Sequence, residues 1–216
     1  MSKIRVLLVD DHTVVRQGLR RILEADDEIE IVGETGDGRS ATEMVQRTHP
    51  HVVIMDIALP ELNGIEATRQ ITKRSDGPKV LVLTMHSDDT CVRQSLKAGA
   101  RGYLLKDSED LDLLKAIRVV GRGGSFFSPA ISKVLLESYL ADAGGREVED
   151  NLTLLTDRER EVLQLIAEGK TNKGIATLLS LSVNTVETHR KHVMEKLDLH
   201  NTAEIVRFAV QKKIVR

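Results

Sequence analysis

Over roughly the first 120 residues, short unbroken apolar runs alternate with stretches where apolar residues recur every three or four positions. The runs Arg5–Asp10 (RVLLVD), Ile29–Val32, Val52–Asp56 (VVIMD), Lys79–Thr84 (KVLVLT) and Gly102–Leu105 (GYLL) are rich in Val, Ile and Leu. They are too short for helices and predict strands buried on both faces, as in a parallel sheet. Between them, Val14–Leu23 predicts a helix with Val14, Val15, Leu19, Ile22 and Leu23 on one face. Ser40–Arg47 predicts a helix capped by Ser40, with Glu43 three residues on completing a capping box. Ile65–Thr72, Thr90–Ala98 and Leu111–Val120 predict three more. Five such strand–helix units predict an α/β domain, a doubly wound five-stranded parallel sheet over residues 1–121.

Gly121, Gly123 and Gly124 then punctuate the chain. Pro129–Leu140 predicts a helix opened by Ser128 and Pro129, and the polar stretch ADAGGREVEDN reads as a linker, so 122–151 is expected to connect two domains. From Leu152 the pattern is purely helical, giving a small all-α domain over 152–216. Thr156 caps its first helix, with Glu159 three residues later, and Gly169 stops it. Asn172–Leu179, the turn SLS and Val183–Leu197 form a helix-turn-helix pattern, and Asn201–Lys212 is the last helix.

The net charge of −2 names no partner, but its distribution adds something. Residues 1–150 hold 20 basic and 25 acidic residues, a net −5, whereas 151–216 hold 11 and 8, a net +3. An acidic front and a basic tail fit a metal site joined to a polyanion binder. The single cysteine, Cys91, excludes an intrachain disulfide. No apolar stretch has the length of a membrane span and no signal-type segment follows Met1, so a cytoplasmic protein without membrane contact is expected. Five aromatics and no Trp leave little for a stacking-based ligand pocket.

The candidate chemistry of the front domain sits at strand ends, where ligands bind in open α/β sheets. The first run closes on Asp10 and Asp11, the third on Asp56, the fourth on the hydroxyl of Thr84, and the fifth meets the ammonium of Lys106. Carboxylates brought so close need a divalent cation, and Mg²⁺ takes oxygen ligands readily. Asp10, Asp11, Asp56 and the backbone carbonyl of Ala58 are the expected ligands. Asp56 is the expected acceptor of a phosphoryl group, with Lys106 and Thr84 on its oxygens.

In the second domain, Ile175, Ala176, Leu179, Val186, Val193 and Leu197 are spaced as a core face. Asn184, Glu187, Thr188 and Lys191 share the opposite face of the later helix, at i, i+3, i+4 and i+7. That face is expected in the major groove of double-stranded DNA, with Glu187, Thr188 and Lys191 near base edges. Thr185, Arg190, Lys173 and Lys170 are expected at phosphates.

The stretches LLVDDH, IMDIALPELNGIEA, VLTMH and GARGYLLKD resemble the receiver domain of two-component systems over about residues 3–121. The resemblance implies a flavodoxin-like fold, Asp56 as phosphoacceptor, Asp10 and Asp11 as the acidic pair, and Thr84 and Lys106 as switch residues. It also makes Tyr103 the aromatic that turns inward when Thr84 moves. Asp107 follows Lys106 where many receivers carry proline, which puts the usual cis bond there in question. The stretches LTDREREVLQLIAEGKTNKGIA and LSLSVNTVETHRKHVMEKL resemble the LuxR-type domain of NarL/FixJ response regulators, with Gly174 where that family usually carries Glu.

Together the two resemblances imply a transcriptional regulator phosphorylated by a sensor histidine kinase. In regulators of this type the unphosphorylated receiver can mask the recognition helix, and a homodimer on a two-fold operator is expected when the protein is phosphorylated or on DNA. Ile205, Val206 and Ala209 of the last helix are expected to pair the two copies. An orphan regulator indifferent to Asp56 and a regulator switched by a small lipid-like ligand are the alternatives. No ATP-binding glycine loop or catalytic His domain points to an enzyme.

Overall fold

The computed structural model describes residues 3–73, 77–106, 110–142 and 151–215. Asp107, and with it the question of the bond after Lys106, lies outside the described residues, as does most of the predicted linker, 143–150. The chain divides into two compact units, Met1–Arg146 and Glu147–Arg216.

In the first unit the order is β1 (Ile4–Val9), α1 (Thr13–Glu24), β2 (Ile29–Thr35), α2 (Gly38–Thr48), β3 (Val52–Met55), α3 (Gly64–Thr72), β4 (Lys79–Thr84), α4 (Asp89–Lys97), β5 (Gly102–Leu105), α5 (Asp110–Gly121), β6 (Phe126–Phe127) and α6 (Pro129–Asp142). The strands form one parallel sheet in the order β2-β1-β3-β4-β5-β6. Successive strand residues point to opposite faces, so Val6 and Leu8 join Leu23, Ala116 and Ile117 under α1 and α5. Leu7 and Val9 join Ala41, Ala67 and Ile71 under α2 and α3. Val82 and Tyr103 pack with Val92 of α4 and Ile131 of α6.

Four expectations change. The sheet has six strands rather than five, because Phe126 and Phe127 pair with Gly102 and Tyr103. That strand and α6, whose Ile131 is fully buried in the cluster with Tyr103, belong to the first unit and not to a linker. Helix α2 starts at Gly38 under an Asp37 cap, whose Oδ1 accepts from the Ser40 amide at 2.7 Å; no Ser40 capping box forms. At Gly38 the chain passes so close to the Leu62 carbonyl oxygen that a Cβ would lie 2.0 Å from it, so the first residue of the helix must be glycine. On α1, Val14 is 82% exposed. It shares its stripe with Gly18 and Arg21, both exposed, while Leu19 and Leu23 carry the core contact.

The second unit holds a 3-10 turn (Asn151–Leu154), α7 (Asp157–Ala167), α8 (Asn172–Leu179), α9 (Val183–Leu197) and α10 (Thr202–Gln211). Thr156 and Glu159 form the capping box of α7. Ser182 caps α9, accepting from the Thr185 amide at 3.0 Å. All six predicted core residues of α8 and α9 are buried, in one cluster with Leu163, Ile166, Ile205 and Ala209. Ile205 and Ala209 therefore cannot pair two copies, since both are fully enclosed by their own unit. On α10 the outward apolar side chain is Val210, 47% exposed, with Val206 half-buried.

Candidate functional site

The carboxyl ends of β1, β3, β4 and β5 converge on one acidic site. Ladder bonds set its depth: the Asp10 amide donates to Thr35 O at 3.1 Å, the Asp56 amide to Val9 O at 2.9 Å and the Lys106 amide to Thr84 O at 2.9 Å. Asp10 and Asp56 are 2% and 3% exposed, Thr84 is fully buried, and Asp11 opens toward solvent. The chain must turn sharply after Asp56. A Cβ on Gly64 would lie 1.8 Å from the Asp56 carbonyl oxygen, so only glycine lets α3 begin against this strand end.

Lys106 is the pivot of the electrostatics. Its Nζ lies 2.7 Å from Asp10 Oδ2 and 2.7 Å from Asp56 Oδ2. Burial opposes its charge, but hydrogen bonds and attraction from Asp10 and Asp56 outweigh this and hold the ammonium above its ordinary pKa. The second oxygen of Asp56 accepts from the Ile57 amide at 2.7 Å, and Asp10 Oδ1 from the His12 amide at 2.8 Å.

Asp10, Asp11, Asp56 and His12 can each offer one ligand atom within 4.8 Å of the others, so the cluster could hold a metal ion. His12 was not among the expected residues. It joins through Nδ1, 2.8 Å from Asp11 Oδ1, and a histidine directly after an acidic pair was the available signal. Ala58, whose carbonyl was also expected as a ligand, lies two residues past Asp56 on the loop after β3 and is half-buried.

Tyr103 lies inside rather than at the rim: its ring is fully buried, and its hydroxyl donates to His86 O at 2.7 Å. Burial, then Cys91, Asp88 and Asp56, push the phenol well above its ordinary pKa.

The helix-turn-helix face of the second unit presents Asn184, Glu187, Thr188 and Lys191 as exposed side chains of α9, and Lys170 and Lys173 are exposed nearby. Among the described residues Lys191 reaches Glu195, at 3.7 Å, and Glu187 accepts a long contact from Asn172 Nδ2 at 3.5 Å. Two expected phosphate contacts have work inside the unit. Thr185 shares a hydroxyl contact of 2.8 Å with Ser182, and Arg190 donates to Thr202 Oγ1 at 2.6 Å, joining α9 to α10.

A parallel sheet with three carboxylates and a lysine at its strand ends, joined to a helix-turn-helix unit, defines a switchable DNA-binding protein. The response regulator receiver domain family matches residues 6–118, and the bacterial regulatory proteins of the luxR family match residues 153–209. The transcriptional regulatory protein DegU of Brevibacillus brevis is 37% identical over 95% of this chain and 92% of its own. LiaR of Bacillus subtilis (strain 168), also a transcriptional regulatory protein, is 39% identical over 98% of this chain and 99% of its own. A solved structure of two RcsB dimers bound to two parallel DNAs superposes with a TM-score of 0.60, at 26% identity, over 97% of this chain and 98% of that one.

The chain belongs to the NarL/FixJ-type two-component response regulators, with a receiver domain followed by a LuxR-type DNA-binding domain. It is a phosphorylation-dependent, DNA-binding transcriptional regulator. Among the described residues, no helix is long and apolar enough to cross a membrane.

Proposed function

We propose that Asp56 accepts a phosphoryl group from a sensor histidine kinase and that this controls DNA binding by α9. The observation that carries the reading is the arrangement of Asp56, Asp10 and Lys106, two buried carboxylates held by one ammonium at 2.7 Å each. In the transfer, a carboxylate oxygen of Asp56 bonds to phosphorus while the bond from phosphorus to the donor breaks, its electron pair leaving with the donor. Lys106 then exchanges part of its contact with the carboxylates for a phosphoryl oxygen, and Thr84 turns its hydroxyl to another.

Asp10, Asp11, Asp56 and the Ala58 carbonyl are the residues that would hold Mg²⁺, and the close oxygen-rich donor set fits that ion. When bound, it supplies positive charge that lets an anionic acceptor meet an anionic donor. On DNA, Glu187, Thr188 and Lys191 are the base-reading candidates; Asn184, Thr185, Arg190, Lys173 and Lys170 position the helix on the backbone. Two copies on a two-fold operator pair through the outward side of α10, at Val206 and Val210. Work on chromosomal DNA requires residence in the cytoplasm. The protein itself contributes an acceptor and a reader rather than a turnover reaction.

Intact mass after incubation with acetyl phosphate and Mg²⁺ tests this for the wild type and Asp56→Asn, with DNA binding followed on the same samples. A phosphoryl-sized gain in the wild type alone, with tighter DNA binding, is expected. An equal gain in both would remove Asp56 from its role. No gain, with DNA bound regardless, would favour the orphan regulator.

A further inference from the structure

Five cations from four segments line one groove of the first unit. Arg69 and Lys73 come from the end of α3, Lys79 from the start of β4, Lys97 from the last turn of α4, and Arg101 from the residue before β5. The strands are parallel, so strand starts lie at the end of the sheet away from Asp56, which follows β3. The groove holds about 660 Å³, and among the described residues no acidic side chain lines it. This is notable within a stretch, residues 1–150, that carries 20 basic against 25 acidic residues.

Two ordinary uses of such cations do not account for Lys79, Lys97 and Arg101. Basic residues often cover the free carbonyls of a helix end. Here the last carbonyls of α4 have donors already: Ala98 N to Gln94 O at 2.9 Å, Gly99 N to Leu96 O at 2.9 Å and Ala100 N to Ser95 O at 3.0 Å. Gly99, at φ +100°, provides the left-handed turn that makes this closure. The Ala98 carbonyl itself accepts from Thr72 Oγ1 at 2.6 Å. Ion pairing within the unit is the second use. Arg69 reaches Glu66 at 3.4 Å, but among the described residues no ion pair holds Lys79, Lys97 or Arg101. Lys79, Lys97 and Arg101 are like charges around one cavity and repel one another, and a multiply charged anion removes that cost.

We propose that this groove binds a small polyphosphate-bearing anion of the nucleotide class. Its volume falls within the range of about 300–1,000 Å³ usual for small-molecule sites. Cations from α3, β4, α4 and the approach to β5 face a common space, which suits a compact polyanion better than a duplex backbone. Pro78, Leu96 and Phe127 also line the groove and give an apolar surface against which a base can lie.

Equilibrium dialysis of the full chain against labelled ATP, in EDTA and physiological salt, tests the site. EDTA keeps metal-bridged ATP off the acidic cluster. Saturable binding is expected, retained in Lys191→Ala and weakened at least about tenfold in Lys97→Glu/Arg101→Glu. Both residues of that pair are exposed, so the fold is kept. Competition by inorganic triphosphate equal to that by unlabelled ATP assigns recognition to the phosphates; weaker competition adds the base. No saturable binding, binding unchanged in the double variant, or loss in Lys191→Ala, which assigns ATP to the DNA-reading face, overturns the proposal.

Discussion

The hydroxyl of Tyr103 donates to the backbone carbonyl of His86, two residues past Thr84, at 2.7 Å. One buried ring thus ties β5 to the segment that follows β4. Tyr103→Phe keeps the ring and removes the bond, which is expected to cost about 1 kcal/mol in stability. Amide hydrogen exchange should quicken around His86 while the rest of the sheet stays protected. Unchanged exchange there would mean that the bond does not hold that segment.

Lys106 neutralises two carboxylates at once. Lys106→Ala leaves Asp10 and Asp56 buried without their cation, a change expected to cost on the order of 3 kcal/mol. Millimolar Mg²⁺ should recover more melting temperature in the variant than in the wild type, since a cation then fills a larger deficit. Equal shifts in paired thermal melts with and without Mg²⁺ would argue against a shared metal site.

Glu159 makes the second unit sensitive to acid. Burial opposes its charge, yet Lys196 Nζ at 2.7 Å and the Thr156 amide at 2.8 Å hold its pKa below the ordinary 4.5. A carboxylate depressed on folding contributes stability that is full above about pH 4.5 and is lost as pH falls through its folded value. Exchange protection in α7 and α9 should therefore fall in that acid range, and Glu159→Gln should flatten the dependence. An unchanged acid profile in the variant would place the sensitivity elsewhere.

Gly174 stands at the third position of α8 after the Thr171 cap, and a Cβ there would meet only Thr171 Oγ1, at 3.4 Å. Gly174→Glu completes a capping box and removes glycine from a helix, a gain of up to ~1 kcal/mol. Urea unfolding of the second transition checks it; a lower midpoint in the variant would show that the glycine is required.

Lys191→Ala is expected to lose about 1–3 kcal/mol on a duplex selected from a random library, and less on a scrambled one. Equal losses on both duplexes would make Lys191 a phosphate contact.

The sheet was legible because β1, β3 and β4 are dominated by Val, Ile and Leu, and polar groups follow the ends of these strands and of β5. The acidic site was legible for the same reason: its members sit where apolar runs stop. Phe126 and Phe127 were hidden, since two residues among glycines carry no period, and only β5 beside them makes them a strand. Val14 misled because an apolar residue one step off the Leu19–Leu23 stripe faces solvent. Ile205 and Ala209 looked like a docking face, yet an amphipathic pattern does not say whether its partner is the same chain or another copy. His12 was legible beside Asp11 but passed over, whereas the basic groove arises from tertiary proximity between segments that share no motif.

The short strand β6 has a mechanical consequence. The Ser128 amide, one residue before α6, donates to the carbonyl of Tyr103 at 3.2 Å, and Ile131 packs in the same cluster as that ring and Val92. The segment by which the chain leaves the sheet is thus held to the strand that carries Tyr103. Through these contacts the position of β5 fixes that of the foot of α6, so the place where the chain leaves the sheet is set by the strand itself.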